Sequence, residues 1–407
     1  MNVDELVRDS LREQAEGQTP AAPGLADRVL GLRRRRRTRR LVSTAATVAA
    51  VVAVSVAVPM LESGGTRDVR PADVTQPHRT EAHPDQSMPS DLIAAGRTAL
   101  AAYYGTVQVA RSKETEVATR TYWLLNPVTK KYVKTTKWSW VAVAPGLKTA
   151  AVLEQNLPAS RIGLLDLASG EVKRWIEVDH TVGGLAFSRD GRELVATTYS
   201  ENPDLRPIPK KLKGGGEVTV ETRSHRTGFS VIDVASGKAE PWSEVGAGGG
   251  VGSDDMINPR QDFAFSRDGS LVWSGRPMDP GYQYYDRDGT EVAPPADAKY
   301  QRWYVDAGLS PDGSLLAGDF AGKKYKTSSW ILDPRTGRQI TETHGQQLLA
   351  WASDDSLVAW DIGKDGNEFH QRLVLVTLHS DKVVPLSDFR STKDGTLGRW
   401  DPVFADR

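Results

Sequence analysis

Several cationic and aromatic side chains lie in the stretches that separate short apolar runs, where they could recognise a ligand together. A cation beside an aromatic ring can bind an anionic or carbohydrate-like surface. The candidate ligand-binding residues are Lys210, Lys211, Lys213, Tyr282, Arg302, Trp303, Lys324, Tyr325 and His370. The alternative is that they are solvated loop residues or residues packed between structural units, since scattered side chains of this kind need no function. These residue types indicate binding and do not define a reaction.

The sequence contains none of the short motifs that define common active sites. No Gly-x-x-x-x-Gly-Lys loop is present, and the glycine run at 246–252 has no helix after it to build a phosphate site. Gly-x-Ser-x-Gly and His-Glu-x-x-His are also absent, as is cysteine. Asp254-Asp255 and Asp354-Asp355 are adjacent pairs, and neighbours on an extended chain point apart. We therefore predict no catalytic residue, no cofactor and no metal, and a protein that is not an enzyme.

The elements that position the candidate residues are marked by two recurring turns. FSRDG at 187–191, FSRDG at 265–269 and LSPDG at 309–313 each lie between apolar runs. A second turn follows downstream, at 164–172, 231–239, 284–292 and 331–339. Glycine tolerates positive φ, and aspartate can bond its own backbone. We predict a structural role for the turn residues Gly146, Gly191, Gly269, Gly313, Asp166, Asp233, Asp286 and Asp333.

The turns recur at intervals of about 40–45 residues, which with four strands per unit is the sequence signature of a β-propeller. The repeats resemble those of WD-repeat and TolB-like propellers, in which S-P-D-G-x-x-L-A and L/W-D-x-x-T-G form the two turns. The Gly-His pair of WD repeats is missing, and Trp-Asp occurs only at 360–361 and 400–401. The resemblance implies an all-β propeller over residues 91–407. We count six blades, and the long interval from 191 to 269 leaves seven open.

Each unit contains four strands in chain order, named a to d, with tight a–b and c–d turns. Residues 397–407 resemble a strand a, so we expect them to pair with the N-terminal unit and close the ring. The longer b–c and d–a connections, including an insertion at 201–226, gather on the face opposite the tight turns. Because long and varied loops carry binding sites on rigid scaffolds, we predict that this face binds the ligand.

Residues 1–40 are predicted to form a helical cytosolic tail that ends in an arginine run. Val3, Leu6, Val7 and Leu11 have helical spacing, but the tail is too short to build a core. A solvated stub and a helix that docks on a partner both remain open. The arginines are Arg33, Arg34, Arg35, Arg36, Arg37, Arg39 and Arg40.

Residues 41–61 contain no charge and would span about 31 Å as a helix, enough to cross a bilayer. The arginines before this segment place its N-terminal side in the cytosol. A cleaved twin-arginine export signal is the alternative. Because 40 residues precede the apolar run, an uncleaved signal anchor is favoured. Residues 62–90 are polar and rich in proline, which predicts a linker that holds an extracytoplasmic domain away from the membrane.

The formal net charge is zero, so no global basic field indicates nucleic-acid binding. The order of tail, anchor, linker and propeller resembles single-pass actinobacterial envelope proteins, and DELVRDSLREQAE followed by GLADRVLGLRRRRR carries this likeness. It implies an extracytoplasmic module that binds a protein or a cell-envelope ligand. It further implies a possible cytosolic regulator such as a sigma factor, in the manner of an anti-sigma factor. The alternatives are a lactonase- or hydrolase-like propeller enzyme with a channel metal, and a passive envelope scaffold.

Overall fold

A computed structural model of the chain describes residues 79–208, 210–211, 217–218, 224–247, 260–275, 281–322, 327–364 and 366–407. The expected tail with its seven arginines, the expected membrane span at 41–61, and residues 62–78 of the expected linker lie outside these ranges. Every regular element described is a β-strand. Within the described ranges no helix has the length and apolar character to cross a membrane.

The a–b turns are built by their own side chains. In the turn at 310–315, Ser310 Oγ donates to Asp312 Oδ1 at 2.6 Å, and the Ser314 amide donates to the same oxygen at 2.9 Å. The Leu315 amide donates to Ser310 Oγ at 3.0 Å. The hydroxyls of Ser310 and Ser314 and the Ser314 amide lower the pKa of Asp312 to about 2. Residues 188–193 and 266–271 repeat this arrangement.

Glycine is required in these turns because its φ is positive, +78° at Gly313. In the c–d turns the aspartate accepts backbone amides three or four positions ahead, as Asp333 does from the Thr336 amide at 2.9 Å. The same pattern recurs at Asp166, Asp233 and Asp286. The predicted structural role of these turn residues is confirmed.

Inner strands such as β9 are buried on both faces, whereas outer strands such as β4 stay largely exposed. The first thirteen strands are β1 (Ala94–Ala95), β2 (Thr98–Ala110), β3 (Thr115–Asn126), β4 (Lys131–Thr135), β5 (Trp138–Val143), β6 (Thr149–Glu154), β7 (Ala159–Asp166), β8 (Glu171–Phe187), β9 (Glu193–Tyr199), β10 (Leu205–Pro207), β11 (Lys210–Lys211), β12 (Glu217–Val218) and β13 (Arg226–Asp233). The remaining strands are β14 (Ser243–Glu244), β15 (Phe263–Phe265), β16 (Val272–Gly275), β17 (Tyr282–Tyr285), β18 (Glu291–Val292), β19 (Leu316–Phe320), β20 (Ser328–Leu332), β21 (Gln339–His344), β22 (Gln347–Trp351), β23 (Ser356–Ile362), β24 (Gln371–Thr377), β25 (Val383–Pro385) and β26 (Asp401–Asp406).

Four antiparallel meanders contain four strands each, in a propeller-like arrangement of four blades. They are β5-β6-β7-β8, β8-β9-β13-β14, β15-β16-β17-β18 and β22-β23-β24-β25. The first two share the long strand β8, of which residues 171–177 pair with β7 and residues 182–187 pair with β9. The all-β prediction is confirmed.

A fifth meander joins the two ends of the described chain. The C-terminal strand β26 pairs with residues 98–104 of β2, so that Ala99 faces Ala405 and Tyr104 faces Asp401. Strand β2 then pairs with β3, and β3 with β4. The predicted pairing of the last strand with the N-terminal unit is confirmed. Strands β19, β20 and β21 form a further sheet, which the isolated bridge between Leu309 and Leu316 extends by one segment.

Aromatic packing holds the terminal meander against the last one. Tyr103 of β2 stacks on Trp123 with ring centroids 5.1 Å apart and contacts Trp400 at 5.3 Å. Trp400 is fully buried and contacts Trp360 of β23 at 5.4 Å. Such contacts add to the large apolar area that each ring buries.

Residues 79–90, the described part of the expected linker, make contacts with the folded unit. The Glu81 amide bonds the Ala94 carbonyl at 2.8 Å, and the His83 amide bonds the Leu386 carbonyl at 2.9 Å. Trp400 Nε1 donates to the Ser87 carbonyl at 2.6 Å. Polar composition suggested a free segment, but backbone groups and the small apolar side chains of this stretch find partners on the terminal and last meanders. The folded unit therefore begins before residue 91.

The β2–β3 hairpin is longer than the other strand pairs and crosses to the insertion in the β8–β14 meander. Its outer part pairs with β10, with Leu205 opposite Val117. Arg111 at its tip donates to Asn156 at 3.3 Å. We call residues 105–119 the strap.

Candidate functional site

The strands that begin each meander converge on a cavity of about 820 Å³, which we call the hub cavity. It is bordered by the ends of β5, β8, β15, β22 and β26 and by residues 306–311. Because these strand ends lead into the a–b turns, the turn residues themselves form part of its wall. A cavity of this size is typical of sites for small ligands.

The third position of the repeated a–b turn lines the hub cavity in four copies. Arg189 and Arg267 occupy this position in the two FSRDG turns, and Pro145 and Pro311 occupy it in two others. The hydrogen bonds within each turn fix the backbone on both sides of this residue, so its side chain is presented from a rigid support. The two arginines come from consecutive repeats.

Three guanidinium groups therefore line the cavity together. Arg189 Nη2 donates to the Pro311 carbonyl at 3.2 Å, and Arg267 Nη2 donates to the same carbonyl at 2.5 Å. Arg97, from the β1–β2 turn, forms an ion pair of 2.6 Å with Asp406. Loss of hydration lowers the pKa of Arg189, the charges of Arg267 and Arg97 lower it further, and Asp406 opposes them. Arg97, Arg189 and Arg267 thus meet at the turn end of the cavity, where Asp268 and Asp406 also line the wall.

Asp306 gives the cavity a titratable acid. Gln347 Nε2 donates to its Oδ2 at 2.9 Å. Asp306 is an exposed residue at the edge of the cavity, and the protein atoms around its carboxylate reduce its hydration, which raises the pKa of Asp306 to about 6. The bond from Gln347 acts in the opposite direction, and the charge of Asp401 adds to the rise. A group that titrates near neutral pH in a cavity is a candidate for function.

Aromatic side chains supply the apolar part of the wall. Trp273, Tyr284 and Trp351 line the hub cavity. Two of them are fixed by hydrogen bonds, because Trp273 Nε1 donates to the Phe265 carbonyl and Trp351 Nε1 to the Gly308 carbonyl, each at 3.0 Å. The cavity therefore combines flat apolar surfaces with charged groups.

A buried ion network lies at the opposite ends of the strands. Asp204, 2% exposed, accepts from Arg120 Nη1 at 2.5 Å and from Arg260 Nη1 at 2.7 Å. Arg260 also bonds Asp262 at 2.8 Å, and its guanidinium lies 3.9 Å from the ring centroid of Trp140. Burial by itself would raise the pKa of Asp204, but the charges of Arg260 and Arg120 outweigh it and lower the pKa to about 2. This network joins the base of the strap to the insertion and to the start of β15.

The candidate residues predicted from sequence do not line the hub cavity where the structure describes them. Tyr282 begins β17, is 2% exposed and donates its hydroxyl to the Ala298 carbonyl, so it is a core residue and not an exposed loop residue. Its ring packs beneath the connection after β18, which the sequence pattern did not reveal.

The other candidates are distributed around the molecule. Arg302 and Trp303 are half-buried, with Trp303 at 5.6 Å from Tyr304. His370 lies 4.5 Å from Phe389. Lys210 and Lys211 form β11, opposite Val218 and Glu217, whereas Lys213, Lys324 and Tyr325 lie outside the described residues. Ligand binding by these residues stays a prediction.

In the described part of the chain, no three His, Asp or Glu side chains lie close enough together to hold a metal ion.

The strand pairing and the hub cavity define an all-β, propeller-like protein. No family model matches the chain, and no curated protein matches it. Among solved structures the chain is similar to TolB from Acinetobacter baumannii, known from a crystal structure, with 14% identity and a TM-score of 0.32 over 71% of this chain and 67% of that chain. The strand pairing described above defines the fold.

Sequence reasoning missed Arg97, Arg189, Arg267 and Asp306. A signal for two of them was present, because the third position of an otherwise constant turn changes between arginine and proline. A turn position that varies while its neighbours keep a structural role is free to face a ligand. Arg97 and Asp306 carry no comparable signal, since only the meeting of distant segments brings them to the cavity.

Proposed function

We propose that this chain is a membrane-anchored, extracytoplasmic binding module of the TolB-like propeller type, with six blades around the hub cavity. The main support for this proposal is the hub cavity, in which three arginines and several aromatic rings line a volume of about 820 Å³. The first strands of the four complete meanders, β26 and residues 306–311 before β19 give six repeat units at its border, and residues 97–98, 273, 284 and 295–301 also line it. This supports six blades over seven.

The anchoring part of the proposal is supported by the sequence of residues 33–61, where an arginine run precedes 21 uncharged residues. It places the propeller outside the cell and residues 1–40 in the cytosol. The amphipathic pattern at the start of the chain supports a docking role for the tail. Ligand binding outside the cell would then be signalled to a cytosolic regulator, for which a sigma factor is the leading candidate.

Crosslinking in membranes followed by pull-down tests this function. The full chain is compared with a variant that lacks residues 2–24, and the matched control scrambles the order of those residues while keeping their composition. We expect a cytosolic partner with the full chain alone. Recovery of envelope proteins only, with all three chains, would refute inward signalling and favour a passive scaffold.

A hydrolase-like enzyme is the second candidate, and Asp306 is the observation that favours it. A carboxyl group with a pKa of about 6 in a cavity can act as a general base or acid. The test is a screen of lactones and esters with the full chain and with Asp306→Asn, together with metal analysis. Turnover that Asp306→Asn abolishes would establish this candidate, and its absence across the screen would leave the binding module.

A further inference from the structure

We infer that Arg97, Arg189 and Arg267 form an oxyanion subsite in the hub cavity, one that takes the carboxylate or phosphate group of a small organic ligand. The inference rests on the proposed binding function and adds to it the chemical class of the ligand. Its basis is that Arg189 and Arg267 approach the same carbonyl in a cavity that Arg97 also lines, where the four aspartates of the wall are Asp268, Asp297, Asp306 and Asp406.

Four aspartates also line the cavity, and three of them are engaged in hydrogen bonds or an ion pair. Asp268 accepts from Ser266 Oγ at 2.7 Å and from the Ser270 amide at 3.1 Å, so it is engaged within its turn. Asp406 pairs with Arg97. Asp297 and Asp306 belong to the connection before β19, where Asp306 is bonded by Gln347.

The arginines keep donors available for a ligand. A guanidinium has five N–H donors. Arg189 and Arg267 each direct one bond to a single shared acceptor, the Pro311 carbonyl. Two like charges on one neutral carbonyl repel each other, and a bound anion would convert that repulsion into two charge-assisted hydrogen bonds. Arginine suits planar or tetrahedral oxyanions because its fork can bind two oxygens together.

The rest of the cavity indicates what the anion is attached to. Trp273, Tyr284 and Trp351 offer apolar faces beside the arginines, and the volume exceeds that of a bare ion many times. A ligand with an anionic head and an apolar body would satisfy both parts of the wall.

Calorimetric titration of the full chain, purified in detergent, tests the subsite. The probes are inorganic phosphate and succinate, with uncharged succinamide as the neutral counterpart. We expect saturable binding of at least one anion, weakened about tenfold or more by Arg189→Gln and by Arg267→Gln, because each variant removes a charge-assisted hydrogen bond. Binding of phosphate alone, of succinate alone or of both identifies the accepted head group.

Arg192→Gln is the matched control. Arg192 belongs to the same turn as Arg189, but its side chain is 83% exposed, and its ion pair with Asp190 is outside the cavity. We expect unchanged binding with this variant, and partial rescue with Arg189→Lys, which shows that loss in Arg189→Gln is not a folding defect. The inference is overturned if neither anion binds, if succinamide binds as well as succinate, or if Arg192→Gln loses as much affinity as Arg189→Gln.

A negative result for the oxyanion subsite can be distinguished from a negative result for the proposed function. A partner recovered by membrane crosslinking without any anion binding would remove the oxyanion subsite and keep the binding module. Anion binding without a crosslinked partner would keep the subsite and remove the signalling role.

Discussion

Arg120 and Asp204 are 84 positions apart in the chain, yet two hydrogen bonds of 2.5 and 2.9 Å join their side chains inside the protein. Both residues are less than a tenth exposed. The pair links β3, at the base of the strap, to the insertion that follows β9. Arg260 pairs with the same carboxylate and also with Asp262, so two acids face two arginines in this network.

Asp204→Asn is expected to destabilise the protein strongly. It leaves Arg120 and Arg260 with one compensating charge fewer, and breaking a buried pair typically costs about 3–5 kcal/mol. The control is Glu154→Gln, which breaks the pair with Arg161 at the surface, where both side chains are about 40% exposed and solvent screens the charges, so little stability should be lost. Urea unfolding of both variants makes the comparison. Equal losses would show that the network is not a buried ion cluster.

The stability that Asp204 contributes should decrease as the pH is lowered. The folded-state pKa of Asp204 is lowered from 3.8 to about 2, so its charge stabilises the fold above about pH 4 and this contribution disappears as the pH falls toward 2. Asp204→Asn should lack this part of the acid sensitivity. Thermal unfolding midpoints recorded through that range for wild type and variant provide the measurement.

Asp306 should give the opposite pH dependence. Its folded-state pKa is raised from 3.8 to about 6, so the folded protein holds the proton more tightly, and stability falls as the pH rises between those values. Asp306→Asn is expected to raise the unfolding temperature above about pH 7 and to leave it nearly unchanged below about pH 4. Asp179→Asn, on an exposed position of β8, is the control. A variant that is no more stable than wild type at neutral pH contradicts the prediction.

Closure by β26 can be tested with a disulfide, because the chain has no cysteine of its own. Ala99 and Ala405 face each other between β2 and β26, so Ala99→Cys with Ala405→Cys should crosslink in the folded protein and stabilise it. Ala99→Cys with Val384→Cys is the control, since Val384 pairs with Leu375 instead. Altered mobility on non-reducing gels and the unfolding midpoint report the result. A crosslink that forms equally well in the control pair would contradict the register.

Alanine substitutions at two turn glycines can distinguish the cost of backbone strain from an effect on the hub cavity. Gly146 and Gly313 have φ of +83° and +78°, but a Cβ on Gly146 meets nothing within 4 Å, whereas one on Gly313 would lie 1.8 Å from Arg267 Nη1. Both alanine variants should lose about 1 kcal/mol from the positive φ. Only Gly313→Ala should also weaken anion binding, because it displaces the guanidinium. Equal anion affinity in both variants would show that Arg267 does not contribute to the oxyanion subsite.

Much of the fold could be predicted because it is encoded locally. The Ser-x-Asp-Gly and Asp-x-x-x-Gly turns close their own hydrogen bonds within six residues, so their spacing reports the strands between them. The likeness of 397–407 to a first strand was enough to predict the pairing of β26 with β2, since an unpaired strand edge needs a partner. The linker boundary was harder to predict, because residues 79–90 are polar and several of their partners, such as Leu386 and Trp400, lie far away in the sequence.

The all-β class, the turn chemistry and the closing strand could be predicted because each depends on residues close together in the chain or on a repeated pattern. Which side chains share a cavity could be seen only in the folded arrangement. Arg97, Arg189, Arg267 and Asp306 come from four separate segments, and Tyr282 is buried by a connection beyond its own strand. The physical reason is that turn hydrogen bonds act over a few residues, whereas burial and charge clustering depend on how distant meanders meet.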